Sequence, residues 1–396
     1  MKLKQRNHAA FATSPRTIVL LLALVFIAIK LLKKPPSVSH ANGHPNGRDH
    51  GGDATANTYS NRQKKLTFTC SDGRTGIHIV HTRFLVGQPH ATPLFVASRL
   101  QLMRTFLIPS LNAQSTKQWV YYASYDPGLG SSAARGFEDA LSSVQAAYTI
   151  AHKEPMPAGG DWSHLNFSAV TDTLAAVDPG IRDVDFFITS RIDNDDATHF
   201  DTVASFQRYA CSAAPYKRGS TTSSTPVRLA YPQGGQLWFP SAREHYGAAG
   251  AWKTSGKGVD DLYRVMSIMP TMVLTGKDFV RQCSGKLNCY SMRHYQPEDL
   301  ETLNIEGCKY RFSARKNILY WDPPEGDISY LYVRTPSSWT KDKEDLKYRT
   351  VALDIVAMER SFQLSPASMA ATNLLFAGFQ KEAPDLLNGK GSTDIE

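Results

Sequence analysis

An apolar strand that runs straight into a cluster of acids constrains this chain most: Phe186-Phe187-Ile188-Thr189-Ser190-Arg191-Ile192-Asp193-Asn194-Asp195-Asp196. Phe186 to Ile188 is rich in β-formers, and Val184 extends the run backwards. Asp193, Asp195 and Asp196 put three carboxylates within four residues. Like charges so close repel unless something positive sits among them. A divalent cation is the usual solution, and hard cations such as Mg²⁺ or Mn²⁺ prefer carboxylate oxygens. In an open α/β sheet a nucleotide lies at the carboxyl ends of the strands. The structural alternative is an Asx turn that caps a helix beginning near Thr198. A calcium loop fits poorly, because Thr198 falls where the sharp-turn Gly belongs and Ala204 where the bidentate Glu belongs. Arg191 can pair with a carboxylate or a phosphate.

The formal charge of +8 points to nucleic acid only until its distribution is read. Residues 1–65 carry seven Lys, four Arg and two Asp, a net of +9, which leaves −1 for the rest of the chain. A neutral globular part excludes a basic nucleic-acid footprint. The five cysteines form no Cys-x-x-Cys pair, which argues against a zinc ribbon. Cys283, Cys289 and Cys308 cluster in a polar region, which suits a disulfide in an oxidising compartment. The odd count leaves at least one thiol over unless chains cross-link.

Residues 1–16 are polar and basic, and 17–32 are apolar except for Lys30. A snorkelling Lys30 makes 17–32 a transmembrane signal anchor. A cleaved signal peptide is the rival, but Lys33-Lys34-Pro35-Pro36 follows with no small-residue cleavage site. Residues 33–66, rich in Pro, Gly, Asn, Ser and His, read as a flexible stem. Order begins with a strand at Gly76–His81 that ends at Thr82-Arg83-Phe84. A helix from Pro93 to Ile108 follows, with Val96, Leu100, Met103 and Leu107 on one face, Arg99 and Arg104 off it, and Pro109 closing it. A second strand spans Gln118–Ala123, so the unit is βαβ and the sheet parallel. Further helices fit Ser132–Ala147, Phe167–Val177 and His199–Ala213. Asn166-Phe167-Ser168 is a glycosylation acceptor if lumenal. Val227–Tyr231 and Gln236–Phe239 read as a hairpin around Pro232-Gln233-Gly234-Gly235. The Gly-rich stretch ending Gly256-Lys257-Gly258 does not match a phosphate loop. Tyr330–Arg334 is a last strand, and 344–380 are helical with a break at Pro366.

Ile79-Val80-His81-Thr82-Arg83-Phe84, Leu107-Ile108-Pro109-Ser110-Leu111-Asn112-Ala113-Gln114, Trp119 and Thr189-Ser190-Arg191-Ile192-Asp193-Asn194-Asp195-Asp196-Ala197 together resemble rhamnosyltransferases of the GT-A glycosyltransferase type. The family pattern at the last site is close to Arg-Leu-Asp-Asp-Asp-Asp-Ala-Leu, from which this chain departs at Ile192, Asn194 and Thr198. Asn194 occupies the variable middle position of a DXD motif. The resemblance covers residues 76–335 and is strong in the first half.

This resemblance implies an α/β fold: a GT-A, nucleotide-diphospho-sugar transferase, Rossmann-like sheet with flanking helices; the apolar run 17–32 adds a single N-terminal transmembrane helix before it. The divisions are a cytosolic tail at 1–16, the anchor at 17–32, the stem at 33–66, the catalytic domain at 67–340 and a C-terminal helical extension at 341–396. It implies a Golgi enzyme, single-pass type II with its catalytic part lumenal, that takes a nucleotide-sugar donor and a glycan or glycoconjugate acceptor. Carried over, Asp193 and Asp195 hold Mn²⁺ or Mg²⁺ with Asp196 assisting, Arg191 contacts the donor, and Arg83 either contacts the donor or forms a structural ion pair. An inverting enzyme also needs a carboxylate base. Asp260 and Asp261 are the candidates, or an N-cap pair; Glu244 and His245 stand in reserve, and His294 is either a late metal ligand or a loop histidine. On this reading, replacing Asp193 and Asp195 by Ala abolishes transfer and leaves the fold intact. The alternative is a non-catalytic carbohydrate-binding or scaffold protein on the same fold.

Overall fold

In a computed structural model of the chain, the residues described are 57–60, 65–88, 91–157, 167–214, 225–240, 248–252, 268–291, 302–303, 308, 310–311, 317–335 and 351–382. The expected anchor at 17–32, the acceptor Asn166, and Glu244, His245, Asp260, Asp261 and His294 lie outside them. Among the described residues no helix is long and apolar enough to cross a membrane.

Strands β1 (Asn57–Ser60) and β2 (Thr67–Thr69) lead into β3 (Thr75–Phe84), the ten-residue strand at the centre of the first sheet. Thr92 caps α1 (Pro93–Leu102) by accepting the Phe95 N–H at 3.2 Å, and Pro93 opens it with its preset φ. The helix does not stop at Pro109. Met103–Leu107 forms a π turn, in which the Ile108 N–H reaches back to the Met103 carbonyl, and α2 (Ile108–Asn112) continues beyond it. The widened turn moves away the carbonyl that the proline ring would strike, and the N–H missing at Pro109 then costs nothing. Next come β4 (Val120–Tyr125), α3 (Ser131–Leu141) and β5 (Tyr148–Lys153). The helix expected to run to Ala147 ends six residues earlier, and the strand after it was not foreseen.

After α4 (Ser168–Val177), β6 (Phe186–Arg191) enters the first sheet and β7 (Ala197–Thr198) the second. Then follow α5 (Thr202–Cys211), β8 (Val227–Pro232), β9 (Gly235–Phe239), β10 (Ala248–Trp252), β11 (Thr271–Thr275) and α6 (Lys277–Cys283). The strands β12 (Thr302–Leu303), β13 (Tyr310–Arg311), β14 (Ile318–Trp321), β15 (Tyr330–Val333) and β16 (Val351–Ala352) precede α7 (Ile355–Phe362) and α8 (Pro366–Glu382).

Among the described residues the first sheet has the order β1-β5-β4-β3-β6-β11-β8-β14, with β2 alongside β3. Strands β5, β4, β3 and β6 run parallel. From β3 the chain steps outward to β4 and β5, then returns to the opposite flank of β3 as β6. The winding therefore reverses between β3 and β6. Both faces are covered, and β4 and β6 are buried along their whole length, as central parallel strands are. On one side Ile79, Val120, Phe187 and Met272 pack under α4 and α6. On the other, Val80, Phe84 and Tyr121 pack under α1 and α3, with Phe84 and Phe137 stacked at 4.4 Å.

The second sheet, β16-β10-β9-β15-β7, takes β9 away from the hairpin expected with β8. Gly234, at φ +74°, turns the chain out of the first sheet, and the Tyr330 ring leaves no room for a side chain at Gly235. The turn chemistry was legible, but the two strands belong to different sheets. The C-terminal helices form no separate layer: Ala357, Met358, Phe362 and Phe376 share a core with Phe106, Trp238, Leu331 and Val333.

Candidate active site at the strand ends

Strand β6 lies between β3 and β11, so its end is held from both sides. The Arg191 N–H bonds the Pro270 carbonyl at 3.1 Å, and the Ile192 N–H bonds the His81 carbonyl at 3.0 Å. The acid turn closes with the Asp196 N–H on the Asp193 carbonyl at 3.3 Å, and β7 begins immediately after it. The three acids thus sit where the chain crosses from one sheet to the other, beside the end of β3.

Each acid has its own surroundings. Asp193 is half-buried; Asn194, Asp195 and Asp196 are buried. The Asn194 amide donates to the Arg83 carbonyl at 2.8 Å and ties the two strand ends together. From α1, Arg99 donates through Nη1 to Asp195 Oδ2 at 2.9 Å and through Nη2 to Asn194 Oδ1. Asp196 Oδ1 accepts the Val333 N–H of β15 at 2.9 Å. Burial first, then the charges of Asp195 and Asp193, push the Asp196 carboxyl well above the usual carboxylate range.

The three acids foreseen as one ligand set are therefore divided. Asp195 is paired with Arg99, and Asp196 is committed to a backbone amide. Among the described residues no group of three or more His, Cys, Asp and Glu side chains is placed to hold a metal ion. The donor chemistry still suits a hard cation of the kind that takes one or two carboxylates and completes its shell with phosphate and water. Asp193 and Asp195 would hold such an ion. The expectation that both can be replaced without harm to the fold does not survive for Asp195, because Arg99 would be left buried and unpaired.

Arg83 and Arg191, foreseen as donor contacts, share one surface. Their guanidiniums lie 5.3 and 4.9 Å from the centre of the Tyr290 ring. Burial lowers the affinity of Arg191 for its proton, and the nearby Asp193 charge opposes that. Beneath them Cys289 is sealed in, its thiol pushed up to about 12 by burial, so it is not a nucleophile.

Three residues at or against these strand ends escaped the sequence. Arg99 carried no signal beyond standing off the apolar face of its helix. Asp126, at the end of β4, accepts the Gly87 and Gly128 N–H groups, both at 2.8 Å, and so fastens the loops that leave β3 and β4. Glu154, just past β5, accepts from the Tyr122 hydroxyl at 3.4 Å, and burial raises its carboxyl. It could not be found without recognising β5.

No protein-family model and no curated protein matches this chain. Among solved structures, residues 1–349 of S. aureus TarS align over 80% of this chain and 76% of that one, at 8% identity and a TM-score of 0.31. The apo form of mouse xyloside xylosyltransferase 1 aligns over 40% of this chain and 52% of that one, at 8% identity and a TM-score of 0.22. Similarity this distant adds nothing to what the residues themselves argue.

Proposed function

We propose that the chain is a glycosyltransferase that moves a sugar from a nucleotide-sugar donor to a hydroxyl of a glycan or glycoconjugate. One observation carries the reading: the acid turn stands at the carboxyl ends of β3 and β6, where the winding of the parallel sheet reverses. Open α/β sheets bind nucleotides at that switch point. Arg83 and Arg191 flank it and suit a diphosphate, for which guanidinium geometry is matched. A divalent Mg²⁺ or Mn²⁺ ion at Asp193 and Asp195, when bound, supplies charge neutralisation to the departing nucleotide. Asp260 or Asp261 takes the acceptor proton in this scheme. The resemblance makes hexosyl or rhamnosyl transfer the specific form of the proposal.

We place the enzyme in the Golgi lumen on a single N-terminal anchor. Two disulfides, Cys70–Cys211 and Cys283–Cys308, support an oxidising compartment. The test is a panel of nucleotide sugars assayed for nucleotide release with the full chain in detergent. Release from one member is expected, with loss in Asp193→Ala. A second reading, a non-catalytic carbohydrate binder on this fold, draws on the protein partners already held by Asp195 and Asp196. A binder would release no nucleotide from any panel member, however long the incubation.

A further inference from the structure

We propose that Arg99 is a built-in counter-cation that keeps Asp195 closed to metal until a nucleoside diphosphate arrives. The inference rests on the glycosyltransferase reading and names the order in which its ligands enter. Arg99 reaches the acid turn from a different element, α1, and its side chain is only 11% exposed. Its fork holds Asp195 and Asn194 at once, while Asn194 holds the Arg83 carbonyl. A divalent ion at Asp195 would therefore meet a guanidinium already bonded to its ligand. In a site this dry, two positive groups on one carboxylate repel strongly. A diphosphate changes that balance. It brings its own negative charge, and its oxygens offer a guanidinium the same bidentate match that a carboxylate does. Arg99 can then pass from Asp195 to the phosphate as the ion takes its place. Metal alone binds weakly, and metal with diphosphate binds well.

The test is Mn²⁺ titration of the full chain in detergent, followed by the electron paramagnetic resonance signal of the free ion. The titration is run first with Mn²⁺ alone, then with UDP, dTDP or GDP added. The wild type is expected to bind Mn²⁺ weakly alone and at least about tenfold more tightly with one of the diphosphates. Arg99→Gln removes the competing charge and should bind Mn²⁺ alone about tenfold more tightly than wild type. Asp195→Asn in that background should erase the gain. A purely structural Arg99 predicts the opposite sign, since its loss would disorder the turn and weaken metal binding. Should Arg99→Gln not fold, Arg99→Met removes the charge while keeping a long side chain over the turn, and should likewise bind Mn²⁺ more tightly than wild type. A folded Arg99→Gln or Arg99→Met with unchanged or weaker Mn²⁺ binding overturns the proposal. So does a wild type that binds Mn²⁺ equally well with and without diphosphate. Sugar-nucleotide cleavage that persists in excess chelator would also sink it while sparing the transferase reading. Conversely, the Mn²⁺ gain without turnover of any sugar nucleotide would strike that reading and leave the role of Arg99 standing.

Discussion

Asp193 and Asp195 are two positions apart yet answer substitution differently. Asp193 is half-buried, so Asp193→Ala should keep the fold and lower turnover by roughly 10²–10³, the scale for removing one preorganised electrostatic contact. Asp195→Ala strips a partner from Arg99 across a pair whose side chains are 11% and 9% exposed. Breaking a buried pair costs about 3–5 kcal/mol, so this variant should lose stability as well as turnover. Thermal unfolding beside nucleotide release separates the two, and equal melting temperatures for both variants would contradict the argument. The sequence could show the acids but not this difference, because Arg99 lies 96 positions upstream of the carboxylate it holds. Titration at other buried residues adds a second expectation. Burial holds His78 down to about 3 and His81 well below its ordinary value. The unfolded chain binds protons on both near pH 6.5 and the folded chain does not, so stability falls as pH drops below that value. The slope is about 1.4 kcal/mol per pH unit for each histidine. Urea unfolding at pH 7.5 and 5.5 measures it. His78→Gln, which keeps a partner for Ser190, should remove about half of the His78 and His81 contribution to that slope.

The joints between elements set the next level of response. Cys70, just after β2, is bonded to Cys211 at the end of α5, with Cα atoms 5.6 Å apart. Arg74 reinforces the joint by donating to the Cys211 and Ala213 carbonyls, both at 2.8 Å. The bond spans 141 positions, against 25 for Cys283–Cys308. On chain entropy alone, losing the longer loop should cost about 1.5 kcal/mol more than losing the shorter one. Paired Cys→Ser variants in urea test this, and the reverse order would show native strain outweighing the entropy term. A bridge inside the Cys283–Cys308 cluster was legible from spacing; the partner of Cys70 was not, because nothing local marks a contact 141 residues away. The same limit explains the strands. β3 and β6 announced themselves as apolar runs. β5 did not, because the helix fitted to Ser132–Ala147 ran over the Ser142-Ser143 turn up to the strand's first residue, and the strand ends in His152 and Lys153. The hairpin expected at Gly234 had correct turn residues, yet pairing depends on the sheets each strand joins, which a local window does not contain.

For the molecule as a whole, the acid turn is the hinge line between two sheets, and the C-terminal helices brace the far side of that line. Phe200 donates its N–H to the Ser361 carbonyl at 2.9 Å, and the Ser361 hydroxyl accepts the Ile328 N–H at 2.9 Å. Val333, which bonds Asp196, packs in the same core as Met358 and Phe362. Within the extension expected at 341–396, α7 and α8 therefore form a structural wall behind the second sheet. A chain ending at Ala352 would uncover Trp238, Leu331 and Val333 together. Since a single buried Phe→Ala already costs about 3–5 kcal/mol, loss of the whole wall exceeds the roughly 5–15 kcal/mol that holds a domain folded. That truncation should aggregate or lose its near-ultraviolet circular dichroism. A chain that begins at Ala54 keeps the compact unit Ala54–Glu396 whole and should retain both the spectrum and nucleotide release in solution. If the C-terminal truncation instead stayed folded and active, the second sheet would not need its wall, and the positioning of Asp196 through Val333 would lose its structural basis.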